Sequence, residues 1–176
     1  MKRSLVSSWP VVLLLVFVAS CGKEKSSQED LSQYYIKCKI GSVDKTFNNS
    51  AAVAKKDLGD GSISYDFFGK AVKDANNLEG IAFVIQLKIP LAKGTYKITD
   101  PTEDYSLMGL YNPNTVDGAQ MFISGYDESN PFQVTFTEIT TTTLTGSFSG
   151  KLSINGIDPT ADSAIVTNGQ FKLKIQ

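Results

Sequence analysis

Apolar and polar residues alternate in short runs from about position 33 to the end of the chain. Alternation with a period of two places successive side chains on opposite faces of a β-strand. Gly, Asn, Asp and Pro residues separate the runs, as is typical of turns between antiparallel strands. The pattern predicts eleven strands, at 33–40, 44–48, 51–56, 62–69, 80–89, 95–99, 105–111, 119–126, 132–139, 144–154 and 165–175.

Several runs also indicate which face lies in the core. The run 80–89 has Ile, Phe and Leu on one face and Ala82 and Val84 on the other, which predicts a mostly buried, central strand. The runs 132–139, 144–154 and 165–175 alternate more strictly, so one face of each is expected to be hydrated. The Ala-rich stretch 50–58 fits a short helix as well as a strand. Glycines within 58–62 and 91–95 predict hairpin connections.

About ten short strands without a long helical pattern predict an all-β domain. An antiparallel two-sheet β-sandwich fits this arrangement best. A lipocalin-like up-and-down barrel is the alternative, because closure also removes edge strands. A chain of 176 residues has room for one domain, expected to occupy residues 33–176.

The start of the chain has a different pattern. A short basic segment is followed by the apolar stretch 11–18 and two small residues, which is the layout of a secretory signal peptide. The apolar stretch is about half of the ~20 residues that a membrane-spanning helix needs. Residues 1–20 are therefore predicted to be a leader, and the polar residues 21–32 a flexible tether.

The motif VASC at 18–21 resembles the lipobox of bacterial lipoproteins. The resemblance implies that Cys21 becomes the N-terminus, joined to diacylglycerol by a thioether and N-acylated with a fatty acid such as palmitate. Several acyl chains, at ~0.8 kcal/mol per buried methylene, hold a domain on a membrane where one chain is marginal. Gly22, where some lipoproteins have Asp, favours the outer membrane, with the periplasmic or exterior side left open. An ordinary signal peptide with a chance cysteine is the alternative.

Composition removes several kinds of function. The chain has no histidine, and its single Arg3 and Trp9 both lie in the leader. Removing Lys2 and Arg3 lowers 17 basic residues to 15 against 18 acidic ones, a formal net charge of −3. Nucleic acid is therefore not an expected partner, because arginine and a basic patch are both missing. A zinc site lacks its usual ligands, and no cofactor is expected.

Cys38 is the only thiol that remains once Cys21 is lipidated, so no intramolecular disulfide is predicted. It alternates with Lys37 and Lys39 and shares a face with Tyr34 and Ile36. We therefore expect it to be a small buried hydrophobic residue. A catalytic thiol would need a base, and the chain has no histidine.

Oxygen-rich clusters leave two further chemistries open. Acidic residues at 100–104, 127–130 and 158–162 lack the spacing of a calcium loop, and Asp, Asn and Pro are also what turns require, so no metal site is predicted. Two facing carboxylates would suit glycan hydrolysis. Candidates for such a pair are Glu103, Asp104, Asp117 and Glu138. No catalytic motif accompanies them.

Binding is the function that the residues favour. Segment 104–126 combines tyrosines with Asn and Asp, side chains that stack on sugar rings and hydrogen-bond to hydroxyl groups. The predicted ligand-binding residues are Tyr105, Tyr111, Asn112, Asn114, Asp117 and Tyr126. Alternatively, these tyrosines pack at sheet edges and Asn-Pro-Asn forms a turn.

The closing segments TGSFSGKL and IVTNGQFKLKI are similar to the last strands of small all-β Bacteroidota lipoproteins of unknown function. This resemblance implies fold and location but no activity. The sequence thus predicts a lipid-anchored, non-catalytic binding or accessory module for a glycan or protein partner. A carboxylate-dependent glycan hydrolase and a purely structural envelope protein are the alternatives, and the oligomeric state is left open.

Overall fold

The computed structural model of the protein describes residues 30–99, 104–113, 121–125, 127–154, 156 and 162–176. The predicted leader, Cys21 and most of the predicted tether lie outside these residues. Within the described residues, the one helical element is the short 3-10 helix Leu31–Gln33, and no helix there is long and apolar enough to cross a membrane. The prediction of an all-β domain is confirmed.

Eleven strands make up the fold within this part of the chain, and their bounds lie close to those that the alternation predicts. They are β1 (Tyr35–Ile40), β2 (Val43–Phe47), β3 (Asn49–Asp57), β4 (Ile63–Lys70), β5 (Gly80–Leu87), β6 (Gly94–Lys97), β7 (Tyr105–Asn112), β8 (Phe122–Ser124), β9 (Gln133–Ile139), β10 (Thr143–Ile154) and β11 (Ser163–Ile175). The stretch 50–58 is strand rather than helix, since it falls almost entirely within β3.

The strands form one mixed sheet in the order β2-β1-β11-β3-β4-β5-β7-β8-β10-β9-β6, and β11 also pairs with β10. All of these pairs are antiparallel except one. Strand β3 runs parallel to the end of β11 through the pairs Ala52–Lys174 and Val53–Ile175. The expectation of a purely antiparallel sheet is wrong at this pair, because alternation of apolar residues does not distinguish the two orientations.

One of the two predicted hairpin connections is confirmed and the other is wrong. The glycine-rich stretch 58–62 joins the antiparallel strands β3 and β4, as predicted, with Gly59 and Gly61 in the left-handed region. The stretch 91–95 does not form a hairpin between β5 and β6. Strand β5 has β4 and β7 as its neighbours, so it is central as predicted. Strand β6 pairs instead with β9.

Phenylalanine rings from four strands form the centre of the core. Phe67 of β4 stacks on Phe83 of β5 with ring centroids 4.4 Å apart. Phe67 also contacts Phe136 of β9 and Phe171 of β11, each at 5.6 Å between centroids. All four side chains are buried, and aromatic contacts of this kind add to the stabilisation from area burial. The inward faces of β4 and β5 therefore pack against those of β9 and β11.

Candidate functional site

The structure describes three of the six predicted ligand-binding residues, and all three belong to β7. Asn114, Asp117 and Tyr126 lie outside the described residues. The Tyr105 hydroxyl bonds to the backbone N–H and C=O of Lys97, each at 3.2 Å. Tyr111 is only 6% exposed. Tyr105 and Tyr111 share a parity with the buried Leu107, so both rings turn toward the core side of β7.

Tyr111 belongs to a hydrogen-bonded network beneath the connection from β4 to β5. Its hydroxyl donates to Oε1 of Glu79 at 3.0 Å, and Lys45 Nζ donates to the same oxygen at 2.6 Å. Burial, and then the bond to Glu79, raise the pKa of the Tyr111 hydroxyl. The network joins residue 79 to β2 and β7, and its geometry is that of a structural tie between three segments.

Cys38 lies close to this network and is buried, as predicted from the alternation. Burial raises the pKa of its thiol to about 12, and the positive charge of Lys45 offsets only part of that rise. A thiol with so high a pKa is almost entirely protonated near neutrality, and the thiolate is the reactive form. Cys38 is therefore an inert packing residue.

The outward side of β4, β5, β7 and β8 has apolar residues in its middle and polar ones, such as Lys70, Asn112 and Gln86, toward both ends. Cross-strand pairing places Phe68, Ala82, Leu110 and Ile123 in one continuous row. In the next row, Val84 pairs with Met108, whose side chain is 40% exposed. We call these outward side chains the apolar face, defined by Phe68, Ala82, Val84, Met108, Leu110 and Ile123.

The outward side of β6, β9, β10 and β11 is polar instead. Pairing aligns Thr95, Thr135, Ser147 and Gln170 in one row across the four strands. The hydroxyls of Thr95 and Thr135 are 2.8 Å apart. These four residues define the polar face, and they are the expected side chains for a sheet that contacts water. The predicted hydrated side of 132–139 and 144–154 is thus confirmed. The outward side of β4, β5, β7 and β8 differs, because its middle rows are apolar.

A groove crosses the apolar face along β5. Strand β5 carries Gly80 and Ala82 here, while larger side chains rise from β4 and β7 on either side. The groove has a volume of about 320 Å³, at the lower end of the range for small-molecule sites. Its walls are formed by Phe68, Lys70, Leu110, Asn112 and Met121. Of the predicted binding residues described, Asn112 alone lies on it.

Lys70 of β4 and Asn112 of β7 lie at one end of this groove. Gly80 pairs with Lys70 on one side and with Asn112 on the other. Two polar residues therefore flank a glycine, which has no side chain. Across the described part of the chain, Lys70 forms no ion pair. The surface that lines the groove is nevertheless almost entirely apolar.

A second concavity, of about 210 Å³, lies at the other end of β5 and is polar. Its lining includes Asp60, Gln86, Lys88, Asp104 and Tyr105. A side-chain hydrogen bond from Ser62 is the largest of the interactions that lower the pKa of Asp60. A glycosidase acid needs a raised pKa, so Asp60 is unsuited to that role.

Of the two predicted hydrolase carboxylates that the structure describes, Asp104 lines this polar concavity. Glu138 belongs to β9 and is not part of the lining. Glu103 and Asp117 lie outside the described residues. The structure therefore brings together no pair among the predicted acids that it describes.

The acidic cluster 127–130 forms a turn, as its composition indicates. Oδ1 of Asp127 accepts bonds from the N–H groups of Ser129 and Asn130 and from the Ser129 hydroxyl. Lys151 Nζ lies 3.2 Å from its other carboxylate oxygen. These contacts, with the Ser129 hydroxyl first, lower the pKa of Asp127 to about 2. The described residues contain no group of three metal-ligating side chains.

Sequence reasoning missed the residues of the groove, although a signal for them was present. Ala82 and Val84 alternate with the core residues of β5, and this indicated burial on both sides of the strand. Phe68 and Leu110 continue the same outward row in the neighbouring strands. Aligning β4, β5 and β7 in register would have shown that these residues form one row on the surface and not a second buried layer.

Comparison with known proteins finds no relative of this chain. No family model matches the chain, and neither the curated proteins nor the solved structures contain a match. The contrast between the two outward faces, together with the groove, is therefore the main structural observation that bears on function.

Proposed function

We propose that this chain is a lipid-anchored protein of the cell envelope, held at the outer membrane through Cys21, and that it is a non-catalytic binding module. The apolar face is its contact surface. The observation that carries the proposal is the continuous row Phe68–Ala82–Leu110–Ile123 on the outside of the sheet. The VASC motif at 18–21 supports the anchor.

The contrast between the two faces supports a contact role for the apolar one. Large contiguous apolar patches are rare on the surfaces of soluble monomers. Where they occur, they often mark an interaction site. On the polar face, by contrast, the outward positions are Thr, Ser and Gln. The exposed Met108 and Met121 add flexible, polarisable side chains, which are common at binding surfaces.

The same proposal includes a sandwich arrangement of the strands. One layer would contain β3, β4, β5, β7 and β8, and the other the remaining strands. Support comes from the ring contacts Phe67–Phe136 and Phe83–Phe148, which join strands that are not hydrogen-bonded neighbours. A lipocalin-like barrel is the alternative, supported by the pairing of β11 with both β3 and β10.

A glycan ligand is a second candidate, favoured by the polar concavity. Asp104, Gln86 and Lys88 line it together with the ring of Tyr105, and carboxylate, amide and ammonium groups bond to sugar hydroxyls. Binding to a panel of immobilised glycans that is lost on Asp104→Ala and kept on Ala82→Leu would favour this site over the apolar face.

Methionine oxidation tests whether the apolar face is covered in the cell. Met108 and Met121 are the only methionines besides Met1, which is lost when the proposed leader is cleaved. Intact cells and the purified lipoprotein are treated with dilute hydrogen peroxide, and sulfoxide at each position is followed by mass spectrometry. We expect both methionines to oxidise several-fold more slowly in cells than in the purified protein.

A Thr137→Met variant is the matched control, since Thr137 is exposed in β9, away from the apolar face. Its added methionine should oxidise at similar rates in cells and in the purified protein. If the ratio of the two rates is the same at positions 108, 121 and 137, the apolar face is not covered and the proposal is wrong.

A further inference from the structure

Four lysines lie close together on the outward side of β1 and β11. Lys37 and Lys39 alternate with core residues in β1, and Lys172 and Lys174 do the same in β11. The two strands are neighbours, with Tyr35 paired to Lys172. Lys37 and Lys172 are therefore diagonal neighbours, about 7–8 Å apart. We call the four lysines the basic face.

Acidic residues are nearly absent around the basic face. Strands β1 and β11 contain none. The one acid of β2, Asp44, lies 3.9 Å from Lys39 and its side chain is 83% exposed. On the other side, β10 places Thr145 beside Lys172, and Glu138 of β9 follows in the same row. Positive charge is thus concentrated on one side of a chain that has more acidic than basic residues.

The basic face begins where the predicted tether ends. Strand β1 starts at Tyr35, directly after the short helix Leu31–Gln33 and Tyr34. Fully extended, segment 21–30 spans at most about 35 Å. That length is less than the diameter of about 40 Å expected for a domain of this size. A lipid on Cys21 would therefore keep the start of β1 close to the bilayer.

We propose that the anchored domain lies with its basic face against an anionic bilayer surface. The inference rests on the proposed function, because it takes the lipid anchor at Cys21 as given. Each lysine near a bilayer that contains anionic lipid favours contact roughly fivefold. Lysines beside a lipid anchor thus supply a second, electrostatic attachment. Strands β1 and β11 are not part of the apolar face, so this contact leaves the apolar face open to a partner.

Acetylation of lysines on vesicles tests the inference. The mature lipoprotein is reconstituted in phosphatidylcholine vesicles, or in vesicles of equal parts phosphatidylcholine and phosphatidylglycerol. An uncharged acetylating ester is added, and the rate at each lysine is followed by mass spectrometry. We expect Lys37 and Lys172 to react about threefold more slowly, or slower still, on the anionic vesicles. Lys88, which is exposed after β5, should react equally on both.

Salt provides an internal control, because 1 M NaCl shortens the Debye length to about 3 Å. The slower reaction of Lys37 and Lys172 on anionic vesicles should then disappear. Protection that persists in salt would not be electrostatic and would overturn the inference.

A double variant, Lys172→Gln with Lys174→Gln, tests whether the basic face makes the contact. Lys37 in this variant should react at nearly the same rate on both kinds of vesicle, because losing two lysines weakens contact roughly 25-fold. Lys73→Gln with Lys88→Gln is the matched control: it removes the same charge from exposed positions outside β1 and β11, and Lys37 should stay protected. Thermal unfolding midpoints show that the variants are folded, and the salt dependence of wild type decides the test if one is not.

Equal rates for Lys37 and Lys172 on the two kinds of vesicle would overturn the inference. Lys88 slowed as much as Lys37 would also overturn it, since the domain would then have no preferred side. If Cys21 carries lipid but neither result with Lys37 nor with Lys172 is as expected, the anchor stands and the basic face is wrong.

If Cys21 carries no lipid, the purified protein is sedimented with the same two kinds of vesicle. Binding that requires phosphatidylglycerol and is lost in the Lys172→Gln and Lys174→Gln variant would support the basic face, although the proposed anchor would be wrong. Sedimentation that is the same with and without phosphatidylglycerol would overturn the inference as well.

Discussion

Phe67 and Phe68 are adjacent residues of β4 with opposite surroundings. Phe67 is fully buried among Phe83, Phe136 and Phe171, whereas Phe68 is half-buried on the outward side. Phe67→Ala should lower the free energy of unfolding by about 3–5 kcal/mol, because it leaves a cavity in the aromatic core. Phe68→Ala should lower it by about 1 kcal/mol, since less area is withdrawn from water. Urea unfolding of both variants measures the difference, and equal losses would contradict the assignment of faces.

Cys38 allows a second test at the scale of one residue. Its thiol is buried and its pKa is raised to about 12, so the native protein should not react with iodoacetamide at pH 8. In concentrated urea the same thiol should react fully. Rapid labelling without denaturant, followed by mass spectrometry, would show that Cys38 is accessible and the β1 face wrongly assigned.

The raised thiol pKa also predicts how stability changes with pH. The unfolded thiol loses its proton near pH 8.5, while the folded thiol keeps it until about pH 12. The folded state then binds more protons, so the free energy of unfolding should fall by about 2 kcal/mol between pH 8.5 and 10. Cys38→Ala should lose most of that dependence. Tyr111, whose pKa is also raised, adds a change of the same sign above pH 10.

Among the elements, the long pair β10–β11 contains an irregularity that depends on specific residues. Its register shifts between Phe148 and Gly150, and Asn168 opposite has φ of 53°. A Cβ at Gly169 would lie 2.2 Å from the Phe148 carbonyl oxygen. Asparagine tolerates the left-handed region better than most residues, and glycine adopts it freely.

We therefore expect Asn168→Val to lower the free energy of unfolding by about 1–2 kcal/mol and Asn168→Gly to leave it nearly unchanged. Chemical unfolding of the two variants provides the measurement. If valine is tolerated as well as glycine, position 168 is not held in the left-handed conformation and the irregularity lies elsewhere.

The strands could be predicted from sequence because each is a local pattern of period two. Pairing could not, since it depends on residues far apart along the chain. The parallel contact of β3 with β11 and the pairing of β6 with β9 leave no mark on the local alternation. The orientation of Tyr105 and Tyr111 was open in the sequence because it depends on which side of β7 faces the core, and the buried Leu107 shares their side.

At the scale of the whole molecule, the domain has two outward faces of different polarity. The apolar face and its groove lie on β4, β5, β7 and β8, and the polar face on β6, β9, β10 and β11. Sequence reasoning predicted a binding module but placed its site on tyrosines and asparagines at 105–126. Of the described residues in that prediction, Asn112 lies on the groove and Tyr105 on the polar concavity.

Attachment to the envelope through Cys21 is the central proposal, because the anchor decides which partners the contact surface can reach. Mass spectrometry of the mature N-terminus from membranes, for wild type and Cys21→Ala, tests this claim directly. Wild type should begin at Cys21 and carry a diacylglyceryl group and an amide-linked acyl chain, whereas Cys21→Ala should carry neither and leave the membrane fraction. A cleaved wild-type N-terminus without lipid, or a leader still present on the mature protein, would contradict it.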